Sequence, residues 1–216
     1  MTISSHKKQE IVDLKSNKVI VFDFDGTLID SNQLKYDAFF KLFPSDDLHK
    51  KIVTEVLSEI LEESRYVILR EIIKRASSEM NEDELDNNVQ VLAAKYNVIV
   101  ADGAKHCKEK PGAKEVLESL SKRYNLYLNS TTPETSLKDI VKHRKWENYF
   151  CDIFGYPNDK VSVLLEIIRK ETIDPDELLV VGDGMSDMDS SKRTGCKFFP
   201  INRSNSLQKL LYYYNH

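Results

Sequence analysis

Four consecutive apolar residues, Val19-Ile20-Val21-Phe22, run directly into two acids one position apart, Asp23 and Asp25, and then into a Gly26-Thr27 turn. A short apolar run of this kind suits a strand buried by the rest of the fold. Ending it in a carboxylate places charge where a sheet meets solvent. The alternation of Asp23, Phe24 and Asp25 can aim both acids at one spot, an arrangement few folds need without chemistry.

From Pro111-Gly112 onward helical and extended patterns alternate. The spacing predicts helices over 113–123, 135–143, 161–170 and 187–194, strands over 126–128, 151–154, 178–181 and 197–199, and a C-terminal helix. Such alternation implies a parallel sheet covered by helices on both faces, and the opening strand belongs to it. Between them, from about Gln33 to Asn97, glycine and proline almost vanish and apolar residues recur at helical spacing. Leu48, Ile52, Val56 and Ile60 form one stripe, Tyr66, Leu69 and Ile73 a second, and Leu85, Val89, Leu92 and Tyr96 a third. The chain therefore reads as an α/β protein with a Rossmann-like three-layer core, residues 1–31 and 104–216, interrupted by an all-α insertion, residues 32–103. Asp102-Gly103 and the run Lys105 to Lys110 read as the return linker from that insertion.

Composition narrows the partners. A chain of 216 residues with 41% hydrophobic content, a net charge of -4 and dispersed lysines offers no coherent basic surface for nucleic acid. Nothing approaches the roughly 18 apolar residues a membrane span requires, and the polar stretch Met1 to Lys18 has no signal-like core. Three scattered cysteines, Cys107, Cys151 and Cys196, form no CxxC pair and suit a reducing cytoplasm.

In open parallel sheets, functional groups gather at the carboxyl ends of strands. Here 19–22 ends at Asp23, 126–128 runs into Asn129-Ser130-Thr131, and 178–181 runs into Gly182-Asp183-Gly184-Met185-Ser186-Asp187, with Lys160 opening a helix between the last two. Carboxylates, a hydroxyl and a lysine in one crevice are what phosphoryl transfer needs. An aspartate attacks phosphorus only when a divalent cation and a fixed ammonium offset the negative charges. Clustered carboxylates suit Mg2+, and no Walker-type glycine loop points to a nucleotide.

The order Asp-Phe-Asp-Gly-Thr, Ser130, Lys160, Gly-Asp-Gly-Met-Ser-Asp closely resembles the haloacid dehalogenase superfamily of phosphohydrolases, over residues 18 to about 203. A helical insertion directly after the first motif is similar to that family's C1 cap. The resemblance implies that Asp23 is the nucleophile forming an aspartyl-phosphate, and that Asp25 protonates the leaving oxygen and then deprotonates water. It further implies a magnesium site from Asp23, the Asp25 carbonyl, Asp183 and Asp187. Ser130 and Thr131 would bind the phosphoryl group with Lys160; Lys142 and Lys145 are alternatives for the lysine. Thr27 would brace the first loop. In the cap, Arg65 is the candidate for contacting the rest of the substrate, against the alternative of a solvated cation beside Glu62 and Glu63, and Asn32 and Lys35 lie at the cap entrance.

Retention of Asp25 favours phosphate esters over dehalogenation, and Gly182-Asp183 looks more like phosphoglycolate phosphatases than like mutases related to β-phosphoglucomutase, which tend to carry Glu-Asp there. The expectation is a cytoplasmic Mg2+-dependent phosphatase of a small phosphorylated metabolite, of sugar phosphate or phosphoglycolate type, working as a monomer or homodimer. A phosphomutase and a non-catalytic binding or regulatory protein are the alternatives. Asn81-Glu82-Asp83-Glu84 could pass for calcium ligands, yet acids at a helix start need no metal. His6, His49, His106, His143 and His216 show no paired spacing, Trp146, Tyr149 and Phe150 read as packing residues, and Tyr212-Tyr213-Tyr214 as cover for a sheet edge or a dimer contact.

Overall fold

The structure, a computed structural model, describes residues 16–61, 63–77 and 80–215. The N-terminal stretch through residue 15, with His6, and also Glu62 and His216 lie outside the described residues. Five strands, β1 (Val19–Phe22), β2 (Asn125–Pro133), β3 (Asp152–Tyr156), β4 (Leu178–Gly182) and β5 (Lys197–Pro200), form one sheet in the order β3-β2-β1-β4-β5. Every pairing in it is parallel. β1 is central because all its side chains are apolar: each is at most 1% exposed.

Period-two alternation divides those side chains between two helical layers. Val19 and Val21 pack with Val163, Leu164 and Ile167 of α7 (Lys160–Glu171), while α8 (Met185–Thr194) lies beside α7. Ile20 and Phe22 face the other way, into the cluster that holds Leu117 of α5 (Ala113–Leu120), Leu137 of α6 (Glu134–His143) and Leu210 of α9 (Leu207–Asn215). Trp146 is buried there, with Tyr149 and Phe150 against it. Tyr214 is buried and accepts a hydrogen bond from Asn17, whereas Tyr212 is exposed.

Between β1 and α5 the chain forms α1 (Asn32–Phe40), α2 (Asp47–Ile60), α3 (Arg65–Ala76) and α4 (Glu82–His106). Their apolar stripes meet in a hydrophobic cluster of their own, built on Ile52, Val56, Leu57, Leu69, Ile72, Val89 and Tyr96. Side-chain caps start three of these helices: Asp46 accepts from the His49 amide, Ser64 from that of Val67, and Asn81 forms a reciprocal capping box with Glu84. The acids at 82–84 thus occupy the first turn of α4, where the helix dipole favours them.

Several sequence expectations change in detail. Leu48 is 63% exposed, because the buried face of α2 is carried by Ile52, Val53, Val56 and Leu57 instead. Residues 102–106 are not linker but the last turn of α4. Gly103 reads as a breaker, yet a Cβ there would overlap Leu34, so the glycine serves close approach of α1 to α4. β2 extends to Pro133, through an irregular register with β3 between Asn129 and Pro133.

Leu69 is fully buried in the cluster of the inserted helices. Leu69→Ala is expected to destabilise the protein by about 2–5 kcal/mol, read from the urea denaturation midpoint; a loss well under that range would mean that the cluster does not pack as described.

Candidate active site

The crevice at the carboxyl ends of β1 and β4 forms where the sheet order reverses, with β2 and β3 on one side of β1 and β4 and β5 on the other. β1 hands over to the site through the Asp23 amide, which donates to the Val181 carbonyl at 2.8 Å. Phe24 is then drawn into the core, edge-on to Trp146 at 6.5 Å between ring centroids. With Phe24 anchored, Asp23 and Asp25 flank it from the opposite side of the chain. Gly26 follows in the left-handed region at φ 74°, and its amide donates to the Ile29 carbonyl, closing a tight loop.

Asp23, Asp183 and Asp187 each present an oxygen within 4.8 Å of the others. Two glycines make that approach possible. A Cβ on Gly26 would overlap the Asp183 carboxylate, and one on Gly182 would overlap that of Asp187. Asp183 receives hydrogen bonds from the Thr27 hydroxyl at 3.0 Å and from the Asn32 side chain. Asp187, in the first turn of α8, accepts from the Gly184 amide at 3.2 Å.

Lys160 enters from the start of α7, where Asp159 caps the helix by accepting from the Val161 and Ser162 amides. Its Nζ donates to Asp23 Oδ1 at 2.9 Å and to Asp187 Oδ1 at 2.6 Å. Asn129 at the end of β2 donates to the Lys160 carbonyl, fixing the backbone behind the ammonium. Burial works against the charge of Lys160, but the Asp23 and Asp187 carboxylates outweigh it and push its pKa up. Asp187 is also pushed up, first by burial and then by the negative charge of Asp23, with Lys160 opposing both. Asp183 rises for the same two reasons. These directions agree because a cluster of three acids holds one ammonium, which pairs with Asp23 and Asp187. With all of them ionised, two negative charges remain uncompensated, which is what a hard divalent cation with oxygen ligands supplies.

Asp25 has a different environment. Its carboxylate accepts from the Ser31 hydroxyl at 2.6 Å and the Thr132 hydroxyl at 2.6 Å, and pairs with the Lys35 ammonium at 3.1 Å. Burial opposes ionisation, but Lys35 first and the two hydroxyls next hold the carboxyl below its usual range. The two neighbouring acids thus have separate partners: Asp23 is paired from α7 and Asp25 partly from α1 of the helical insertion.

Of the other residues singled out in the sequence, Ser130 is buried at the end of β2 and its Oγ accepts from the Thr132 amide at 3.2 Å. Thr131 is exposed. The irregularity in β2 makes Thr132 the threonine that reaches Asp25. Arg65 donates to Asn97, between α3 and α4 of the helical insertion. Ser31 and Thr132 went unrecognised in the sequence: a single hydroxyl in a turn carries no pattern, although Ser31 stands directly before a helix, where such residues gather. A groove of about 550 Å³ between α1 and α2, lined by Tyr36, Thr54 and Leu57, contains none of these residues and lies apart from the acids.

Residues 20–201 match the haloacid dehalogenase-like hydrolase family, and the chain belongs to it. Among curated relatives, a phosphorylated carbohydrates phosphatase of Thermotoga maritima is 26% identical over 194 residues, covering 82% of each chain. A phosphoglycolate phosphatase of Vibrio parahaemolyticus is 24% identical over 208 residues, 92% of this chain and 86% of the relative. Among solved structures, a haloacid dehalogenase-like hydrolase of Streptococcus pneumoniae shares the fold with a TM-score of 0.65 at 24% identity, covering 92% and 91% of the two chains. No described helix is long and apolar enough to cross a membrane.

Gly26→Ala tests the packing of the acids. The left-handed backbone costs about 1–2 kcal/mol for a residue with a Cβ, and the new methyl must also displace Asp183. A lowered Tm and a moved Asp183 in a crystal structure of the variant are expected; an unshifted Tm would contradict the close approach.

Proposed function

We propose that this chain is a Mg2+-dependent phosphatase of a small phosphorylated metabolite, of the sugar phosphate or phosphoglycolate type, working through an aspartyl-phosphate on Asp23. The observation that carries the reading is the cluster of Asp23, Asp183 and Asp187, two of which, Asp23 and Asp187, share one buried lysine, with two negative charges left over. The names of the curated relatives support the substrate class. Three free thiols, Cys107, Cys151 and Cys196, fit a reducing cytoplasm.

In the first half-reaction a carboxylate oxygen of Asp23 attacks phosphorus, the ester P–O bond breaks, and the leaving oxygen takes a proton from Asp25. In the second, water attacks the same phosphorus and gives a proton to Asp25, the bond from phosphorus to Asp23 breaks, and inorganic phosphate leaves. Lys160 and Ser130 hold the phosphoryl oxygens as charge shifts onto them, with Thr131 beside them at the strand end. Asp23, Asp183, Asp187 and the Asp25 carbonyl are the groups that would hold Mg2+, whose charge offsets that of the incoming phosphate. Asp25 stands as a carboxylate while Lys35 is against it, so that contact must open before Asp25 carries a proton to the leaving group. The helical insertion, residues 32–103, acts as the cap that closes over the leaving group and excludes water.

Wild-type protein is expected to release inorganic phosphate from p-nitrophenyl phosphate, to stop when EDTA removes the metal, and to resume on addition of Mg2+. Asp23→Asn should lower kcat by about 1,000-fold or more while leaving the circular dichroism spectrum intact. Equal turnover in the two proteins would remove Asp23 from the nucleophile's role, and isomer formation without phosphate release would favour a mutase.

A further inference from the structure

Lys35 does not need to hold Asp25 in place. The Asp25 carboxylate is already fixed by two short hydrogen bonds, from Ser31 to one oxygen and from Thr132 to the other. The Lys35 side chain is the third partner and remains 32% exposed, unlike Lys160, which is 9% exposed between two acids. Its backbone, in contrast, is anchored: the Lys35 carbonyl accepts from the Tyr96 hydroxyl of α4 at 3.2 Å, and Tyr96 packs on Phe39 with ring centroids 4.6 Å apart. A pinned backbone carrying a partly solvated ammonium on a long stem suits a group that changes partner during a cycle.

The position of this ammonium decides which part of a substrate it meets. Lys160 comes from the core and pairs with Asp23, where the phosphoryl group is expected. Lys35 comes from the first helix of the cap, on the side of Asp25. That is where the leaving alcohol must lie if Asp25 protonates it. The insertion therefore brings the Lys35 ammonium to the leaving-group side. Arg65, at the start of α3, bonds to Asn97 within the insertion.

Resting on the phosphatase reading, we propose that Lys35 is a specificity-determining residue that leaves Asp25 to pair with a second anionic group, a carboxylate or a second phosphate, on the leaving alcohol of the substrate. A neutral alcohol would leave the ammonium on Asp25 and gain nothing from it. An anionic one exchanges one ion pair for another and frees Asp25 for the leaving oxygen.

The test compares phosphate release from 2-phosphoglycolate and fructose 1,6-bisphosphate, which carry a carboxylate and a second phosphate, with release from glycerol 2-phosphate, which carries neither. Wild-type protein is expected to prefer at least one of the anionic esters by kcat/KM, and whichever it prefers identifies the anion. Lys35→Met should reduce that preference by about 10- to 100-fold, mainly through KM, as expected for loss of a charge-assisted contact. Lys35→Arg should restore most of it, which separates loss of the charge from misfolding. Equal loss on all three esters, or a loss confined to kcat, would show that Lys35 acts through Asp25 and would overturn the inference. So would wild-type activity without preference for an anionic ester, although the phosphatase reading would then survive. Absence of phosphate release from any ester would overturn both.

Discussion

Surplus negative charge at the ends of two adjacent parallel strands governs the rest of this structure. Asp23 and Asp183 follow β1 and β4, which are paired over their length, and Asp187 is added by the first turn of α8. Such a gathering of acids relaxes in a loose loop, but here it cannot. β1 is buried on both faces, Phe24 is locked beside Trp146, and glycines at 26 and 182 leave the carboxylates almost in contact with backbone. Lys160 offsets part of the repulsion, and its own burial is tolerable because it meets two carboxylates at once. The charge it leaves unbalanced defines what the site can take up.

The helical insertion is joined to this arrangement by a few polar contacts and by a small apolar seam, in which Ala104 of α4 is buried in the sheet's cluster and Leu34 of α1 packs against it. Its helices close around their own hydrophobic cluster, distinct from the two that cover the sheet. At the junction, Asn32 reaches Asp183, and Lys35 reaches Asp25. Each is on α1, the helix that begins where the first loop ends. Motion of α1 would therefore change the surroundings of two acids together, and with them the packing of Leu34 on the sheet's cluster and of Ala38 and Phe39 within the insertion's own.

Much of this was legible in the sequence because it depends on periodicity. The order of strands and helices, the inserted helical block and the placement of Asp23, Lys160, Asp183 and Asp187 at element ends all follow from where apolar runs stop. What escaped depends on local geometry that periodicity does not encode. No pattern in the sequence singles out Thr132, which lies in the stretch of irregular register between β2 and β3 and reaches Asp25. Gly103 looks like a helix end, yet α4 continues to His106 because that glycine faces Leu34. Leu48 fits a helical stripe and is nevertheless exposed, since a repeat of four drifts off the buried face of a helix with 3.6 residues per turn.

Asp23 and Asp25 show how one short segment can give the same side chain two chemical characters. They differ by two positions and share burial of 7% exposure, so desolvation alone does not distinguish them. Their partners do. Asp23 faces an ammonium shared with Asp187 and lies beside two further carboxylates. Asp25 is held by two hydroxyls, which tolerate a carboxylate or a carboxylic acid because each can donate or accept. Lys35 first, and the two hydroxyl hydrogen bonds next, favour the charged form of Asp25, and the Lys35 contact comes from α1 of the helical insertion. The division follows from topology: the ammonium paired with Asp23 comes from the core, and the one paired with Asp25 from the insertion.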